Sequence, residues 1–174
     1  MYIANHTAKT LKKVCAGKND QREYLQHCHL DAENKHLWAT NGSIAARLAI
    51  AISDGDTSGP VTIESLSAAE SIQKSTKRTA EITANGSLDI KDGPSFPRPD
   101  CGKFPDVSHV LKQAEAEPEY EITINAKLLH DLAASISSNG KDLVVTLSFT
   151  GNQSPIKVTN KTKHLGILMP CRSN

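Results

Sequence analysis

One pattern recurs three times along the 174 residues, and a chain that restarts its secondary structure in this way is built from repeated units. A short apolar strand, an amphipathic helix and several strand-like runs begin again at Ile3, Ile63 and Ile124, about 60 residues apart. In the first unit Tyr2–Ala4 leads to Asn5 and Thr7 as helix caps. Ala8–Ala16 then reads as a helix that Gly17 ends, with Leu11, Val14 and Cys15 on one face and Lys9, Lys12 and Lys13 on the other. Tyr24–Leu30, His36–Thr40 and Ile44–Ile52 read as strands, with Asn41-Gly42 as a tight turn.

The second unit opens with Val61–Ile63 and a helix that a Ser67-Ala-Ala-Glu70 capping box would start, running to about Thr76. Glu81–Ala84 and Ser87–Ile90 flank Asn85-Gly86, a strong hairpin signal. Residues 93–102 carry too much proline and glycine for regular structure. After the acidic stretch Gln113–Glu119 the third unit gives Tyr120–Ile124 as a strand. Asn125 caps a helix over Ala126–Ser137 with a stripe of Leu128, Leu129, Leu132 and Ile136, and Asn139-Gly140 stops it. Leu143–Phe149, Ile156–Asn160 and Leu165–Met169 follow as strands. The apolar run Ile167-Leu-Met169 ends close to Asn174. Its side chains would have no reason to be apolar in water, so the strand is expected to lie against a groove, with Pro170 stopping it.

Composition narrows the function. Twenty basic and nineteen acidic residues leave a net charge of +1, so affinity for a polyanion must come from the placement of charge and not its total. Aromatic residues make up only 4%, too few for a protein that stacks on single-stranded bases. Cys15, Cys28, Cys101 and Cys171 form no C-x-x-C pair, and no secretory leader or membrane-length apolar run is visible, which points to a reduced, cytoplasmic protein. His27-Cys28-His29 offers two imidazoles to one strand face, but no second ligand pair stands at a metal-binding spacing. No nucleophile elbow, phosphate loop or dinucleotide fingerprint is present, so neither an enzyme nor a cofactor is expected.

Four stretches, in order, resemble the bacterial sliding clamp, the β subunit of the replicative DNA polymerase. They are Asp20-Gln-Arg-Glu-Tyr-Leu25, Trp38-Ala-Thr-Asn-Gly42, Gly102-Lys-Phe-Pro-Asp-Val107 and Ile167-Leu-Met-Pro-Cys-Arg172. Asn41 stands where that family has Asp, Cys171 where it has Met, and His109 where it has a basic residue. The resemblance implies an α+β DNA-clamp fold of about three strand–helix–strands half-domains. Residues 1–111 would form one clamp domain of half-units 1–58 and 59–111, 112–118 a linker, and 119–174 a further half-domain. It also implies a non-enzymatic processivity factor that encircles duplex DNA without reading sequence.

In that fold the helices face a central hole. Lys9, Lys12, Lys13, Lys74, Lys77, Arg78 and Lys127 would then meet phosphates, joined by Arg22 on the loop that resembles the family's DNA-touching segment. The family's hydrophobic peptide pocket would map to Leu25, Thr40, Gly42, Pro105, Val110, Ile167, Met169 and Pro170, taking short linear peptides from a DNA polymerase and a clamp loader. A homo-oligomer would close the ring, four chains being one arithmetic solution. The competing reading is a clamp-like decoy or adaptor that captures such peptides without encircling DNA.

Overall fold

The computed structural model describes residues 1–4, 7–107, 121–137, 143–162 and 164–171. The chain divides into two compact units, Met1–Asp106 and Val107–Asn174. The first contains β1 (Tyr2–Ile3), α1 (Thr7–Leu11), β2 (Cys28–Asp31), β3 (His36–Thr40), β4 (Ala45–Ala49), β5 (Gly59–Val61), α2 (Ile63–Thr76), β6 (Ala80–Asn85), β7 (Ser87–Ile90) and β8 (Ser95–Pro97). They form two antiparallel sheets, ordered β1-β6-β7-β8 and β4-β3-β2-β5.

The pairing crosses between repeats. β1 opens the first repeat but pairs with β6 of the second, Ile3 opposite Ala80, while β5 opens the second but pairs with β2 of the first, Val61 opposite Cys28. Each repeat thus completes the other's sheet, and the two share one core. Ile3, Leu11, Leu30, Leu37, Val61, Leu66, Ile82 and Leu88 are buried together in it. Arg98 ties the exchange down. Its Nε donates to Pro60 O at 3.1 Å and its Nη2 to Thr57 O at 2.9 Å, which fixes the approach to β5.

Several local expectations are corrected. The first helix is regular only to Leu11. Beyond it the chain turns, with the Val14 and Cys15 N–H groups both reaching Leu11 O at 2.9 Å. The start of the Tyr24–Leu30 run is a 3₁₀ turn, Glu23–Leu25, and the strand begins at Cys28. α2 starts at Ile63, where Thr62 caps it by accepting the Ser65 N–H at 3.1 Å, so Ser67 is interior and caps nothing. The proline-rich stretch contains β8, an edge strand with Phe96 opposite Leu88, a position where a missing N–H can face away from the ladder.

The second unit contains α3 (Ala126–Ile136), β9 (Val145–Ser148), β10 (Ile156–Asn160) and β11 (Leu165–Leu168), its sheet ordered β11-β10-β9. Asn125 caps α3 as expected, its side-chain oxygen accepting the Lys127 and Leu128 N–H groups. Ile136 meets Ile156, Val158 and Leu168 in the core, with Leu129 and Leu132 packed against them, and Ala133 is buried. Leu128 does not join the stripe and is exposed. Glu121–Ile124 forms no strand. Its Thr123 carbonyl accepts the Cys171 N–H at 2.8 Å. Asn5, His109, Val110, the 112–118 linker, Tyr120, Asn139-Gly140 and Arg172 lie outside the described residues.

Candidate functional site

The predicted basic residues are all exposed, and they occupy helix ends. Lys9 lies on α1 and Lys12 and Lys13 on the turn that follows. Lys74 lies in the last turn of α2, with Lys77 and Arg78 just beyond it. α1 and α2 pack against one another in the first unit, so these six cations belong to one helical layer. None is ion-paired among the described residues. Cations at helix C-termini also offset the negative end of the helix dipole, which accounts in part for where they sit. Lys127 has no such local reason. It is exposed in the first turn of α3, where the dipole opposes a positive charge.

Arg22 is arranged differently. Its Nε and Nη2 bind Asp20 at 3.0 and 2.8 Å, and its own N–H donates to the same carboxylate, so the guanidinium is ion-paired. The hydrogen bonds from Arg22 hold the Asp20 carboxyl down at about 2. Arg22 also reaches over the Asn41-Gly42 turn. Gly42, at φ +89°, leaves room for the guanidinium, since a Cβ there would sit 2.9 Å from Nη1. The structure therefore joins the 3₁₀ turn bearing Leu25 to the turn bearing Thr40 and Gly42, with Arg22 as the link.

Of the other predicted pocket residues in the first unit, Leu25 is fully buried. The Thr40 hydroxyl is committed to the turn, donating to Ile44 O at 2.7 Å and accepting the Gly42 N–H at 3.1 Å. The turn is a four-residue loop and not a tight one, because the Asn41 side chain accepts both the Ser43 and Ile44 N–H groups. Pro105 is half-buried, next to Phe104, whose ring stacks on His29 at 4.8 Å.

In the second unit β11 alternates. Leu168 is 5% exposed and packs on α3, whereas Ile167 and Met169 are 64% and 60% exposed. The expectation that all three are covered thus holds only for Leu168, since a strand can turn just every second side chain to one core. Among the described residues β11 is also an edge strand, and Leu165, Ile167 and Met169 form its outward row. Met169 and Pro170, with Glu121, Thr123, Asn152 and Gln153, line a cavity of about 530 Å³. Sequence reading missed the aromatic row on the first unit's outer sheet face, where Trp38 meets His36 edge-on and carries the Arg47 guanidinium 5.7 Å from its ring. Cross-strand alternation on β3 was the available signal.

Two exchanged strand–helix–strands repeats with helices on one layer, followed by a third helix on a three-stranded sheet, define a DNA-clamp fold. Comparison with known folds makes this specific: the chain is similar to DNA polymerase III β sliding clamps. A putative β subunit from Eubacterium rectale superposes with a TM-score of 0.68 at 12% identity, over 98% of this chain and 50% of that one. The β subunit from Pseudomonas aeruginosa gives 0.67 at 17%, over 98% and 50%. The Caulobacter crescentus clamp gives 0.63 at 17%, over 94% and 48%. The chain therefore has the clamp fold and spans about half the length of the clamps it matches, or about three half-domains. No protein-family model matches the sequence, and no curated protein matches it. Among the described residues no helix is long and apolar enough to cross a membrane, and no cluster of three metal-ligating side chains occurs.

Proposed function

We propose that this chain is a subunit of a DNA sliding clamp, a cytoplasmic processivity factor that surrounds duplex DNA and does no chemistry on it. The observation that supports this most is the clamp fold combined with exposed cations on all three helices, Lys127 included, where local helix energetics gives no reason for one. Cations spread over several helices neutralise phosphates without touching base edges, which leaves the duplex free to slide. With three half-domains in a chain, several copies close the ring.

Polymerase and loader peptides bind on the second unit, along the exposed apolar side chains of Ile167 and Met169 with Pro170 beside them. The exposed apolar row on β11 supports this part, because Ile167 and Met169 gain nothing from the fold of their own unit. Met169 is flexible enough to take the shape of more than one partner.

Light scattering over a range of concentrations, followed by loading on nicked circular DNA, tests the reading. A discrete oligomer that stays on circles and is lost when they are linearised is the expected result. A chain that is monomeric at every concentration and released equally from circles and linear DNA would overturn the ring and leave a peptide-binding module.

A further inference from the structure

Neither surface uses a cleft of about 470 Å³ in the first unit that is lined by Lys12, Cys15, Lys18, Gln26, His27 and Glu64, with four neighbours. Cys15 is 8% exposed and opens onto this cleft. Cys28, 1% exposed, lies behind it, with the two sulfurs 3.8 Å apart. That is van der Waals contact, and a covalent bond of about 2 Å would draw the same two sulfurs closer together. The backbone differs on the two sides. Cys28 is paired in β2 opposite Val61, whereas Cys15 sits on the irregular turn after α1, its N–H bonded to Leu11 O.

One reachable thiol in contact with one shielded thiol is the arrangement a reversible dithiol needs. We propose that Cys15 and Cys28 are a hydroperoxide-reactive pair, Cys15 attacking and Cys28 resolving, that closes to a disulfide. The Cys15 thiolate attacks one peroxide oxygen and the O–O bond breaks. The other oxygen leaves with a proton as water or an alcohol, and Cys15 becomes a sulfenic acid. The Cys28 sulfur then attacks the Cys15 sulfur, and the hydroxyl departs as water with the Cys28 proton. Two thiols are oxidised and one hydroperoxide is reduced. The hydrogen bond between the sulfurs fits these roles: it lowers the Cys15 thiol below its ordinary value against the effect of burial, while it and burial both raise Cys28. Lys12 and Lys18 line the same cleft, Lys18 paired there with Glu64 at 3.2 Å. The disulfide pins the turn carrying Lys12 and Lys13 to β2.

The test titrates the reduced full-length chain with hydrogen peroxide, alkylates the remaining thiols after unfolding, and maps peptides without reductant. The expected result is a peptide joining Cys15 to Cys28 that dithiothreitol reverses. In Cys28→Ala a dimedone adduct should appear at Cys15, and Cys15→Ala should slow loss of the Cys28 thiol by about tenfold or more. The proposal is overturned if Cys15 and Cys28 stay alkylatable while Cys101 and Cys171 are consumed, or if Cys171 crosslinks between chains account for all oxidation. The wild-type map decides this even if a variant fails to fold.

Discussion

The buried carboxylate of Glu70, on α2, accepts the Ala8 N–H at the start of α1 at 2.6 Å. A helix with five regular residues has little stability of its own, and a bond from a charged acceptor to one of its unpaired N-terminal donors fixes its position on the neighbouring helix. Glu70→Ala leaves that donor buried and unpaired, at a cost of about 1–3 kcal/mol. Glu70→Gln keeps an acceptor and should cost less. Urea unfolding of the three proteins checks the order, and equal midpoints would show that α1 is held by packing alone.

Gly166 in β11 lies against Leu132 of α3 so closely that a Cβ would sit 2.6 Å from Leu132 Cδ1. Gly166→Ala should push the helix off the sheet and destabilise the second unit by about 1–3 kcal/mol. Combined with Leu132→Ala the two losses should fall short of their sum, since the smaller side chain makes room. Strict additivity in a double-mutant cycle would locate the strain elsewhere.

Burial holds the imidazoles of His27 and His29 below their ordinary value, with Glu64 and Glu23 opposing at His27 and Asp31 at His29. A depressed histidine binds fewer protons folded than unfolded. Its contribution is whole above the unfolded value of 6.5 and is lost as pH falls from there through the folded value. The urea midpoint should therefore drop between about pH 7.5 and pH 5.5. His29→Phe, which keeps a ring against Phe104, should flatten part of that slope.

Reversing Lys12, Lys13, Lys74 and Lys77 to Glu should weaken duplex-DNA binding and make it less dependent on salt. Each phosphate that is no longer neutralised takes about 0.9 off the slope of log affinity against log salt. All four side chains are exposed, so the fold should survive. An unchanged slope would remove the helical layer from the DNA-facing surface.

Ile167→Asp with Met169→Asp changes two side chains that the folded unit does not need, so stability should move by no more than about 0.5 kcal/mol per site. Binding of a fluorescent peptide with Leu and Phe anchors should be abolished. Retained binding would place the peptide elsewhere.

Most elements were legible because their signals are local. Asn85-Gly86 marked a hairpin whose glycine adopts φ +73°, Asn125 marked the start of α3, and His36–Thr40 and Ile156–Asn160 were bounded by turn residues on both sides. The candidate surfaces were legible as residue types, but not their exposure. Alternation along β11 separates Leu168 from Ile167 and Met169, and only the position of α3 says which face is covered. Glu70 shows the same limit: the sequence marked it as a helix cap, yet it caps a helix 62 residues away in the chain.

What the sequence by itself determined is the thrice-repeated unit, since capping, turn chemistry and hydrophobic period act over a few residues. What only the tertiary structure decided is that β1 and β5 change places between repeats. Strands of two and three residues carry too little pattern to select a partner. Their pairing is set by which sheet edge buries Ile3 and Val61 in a common core, and that edge exists only once both repeats have come together.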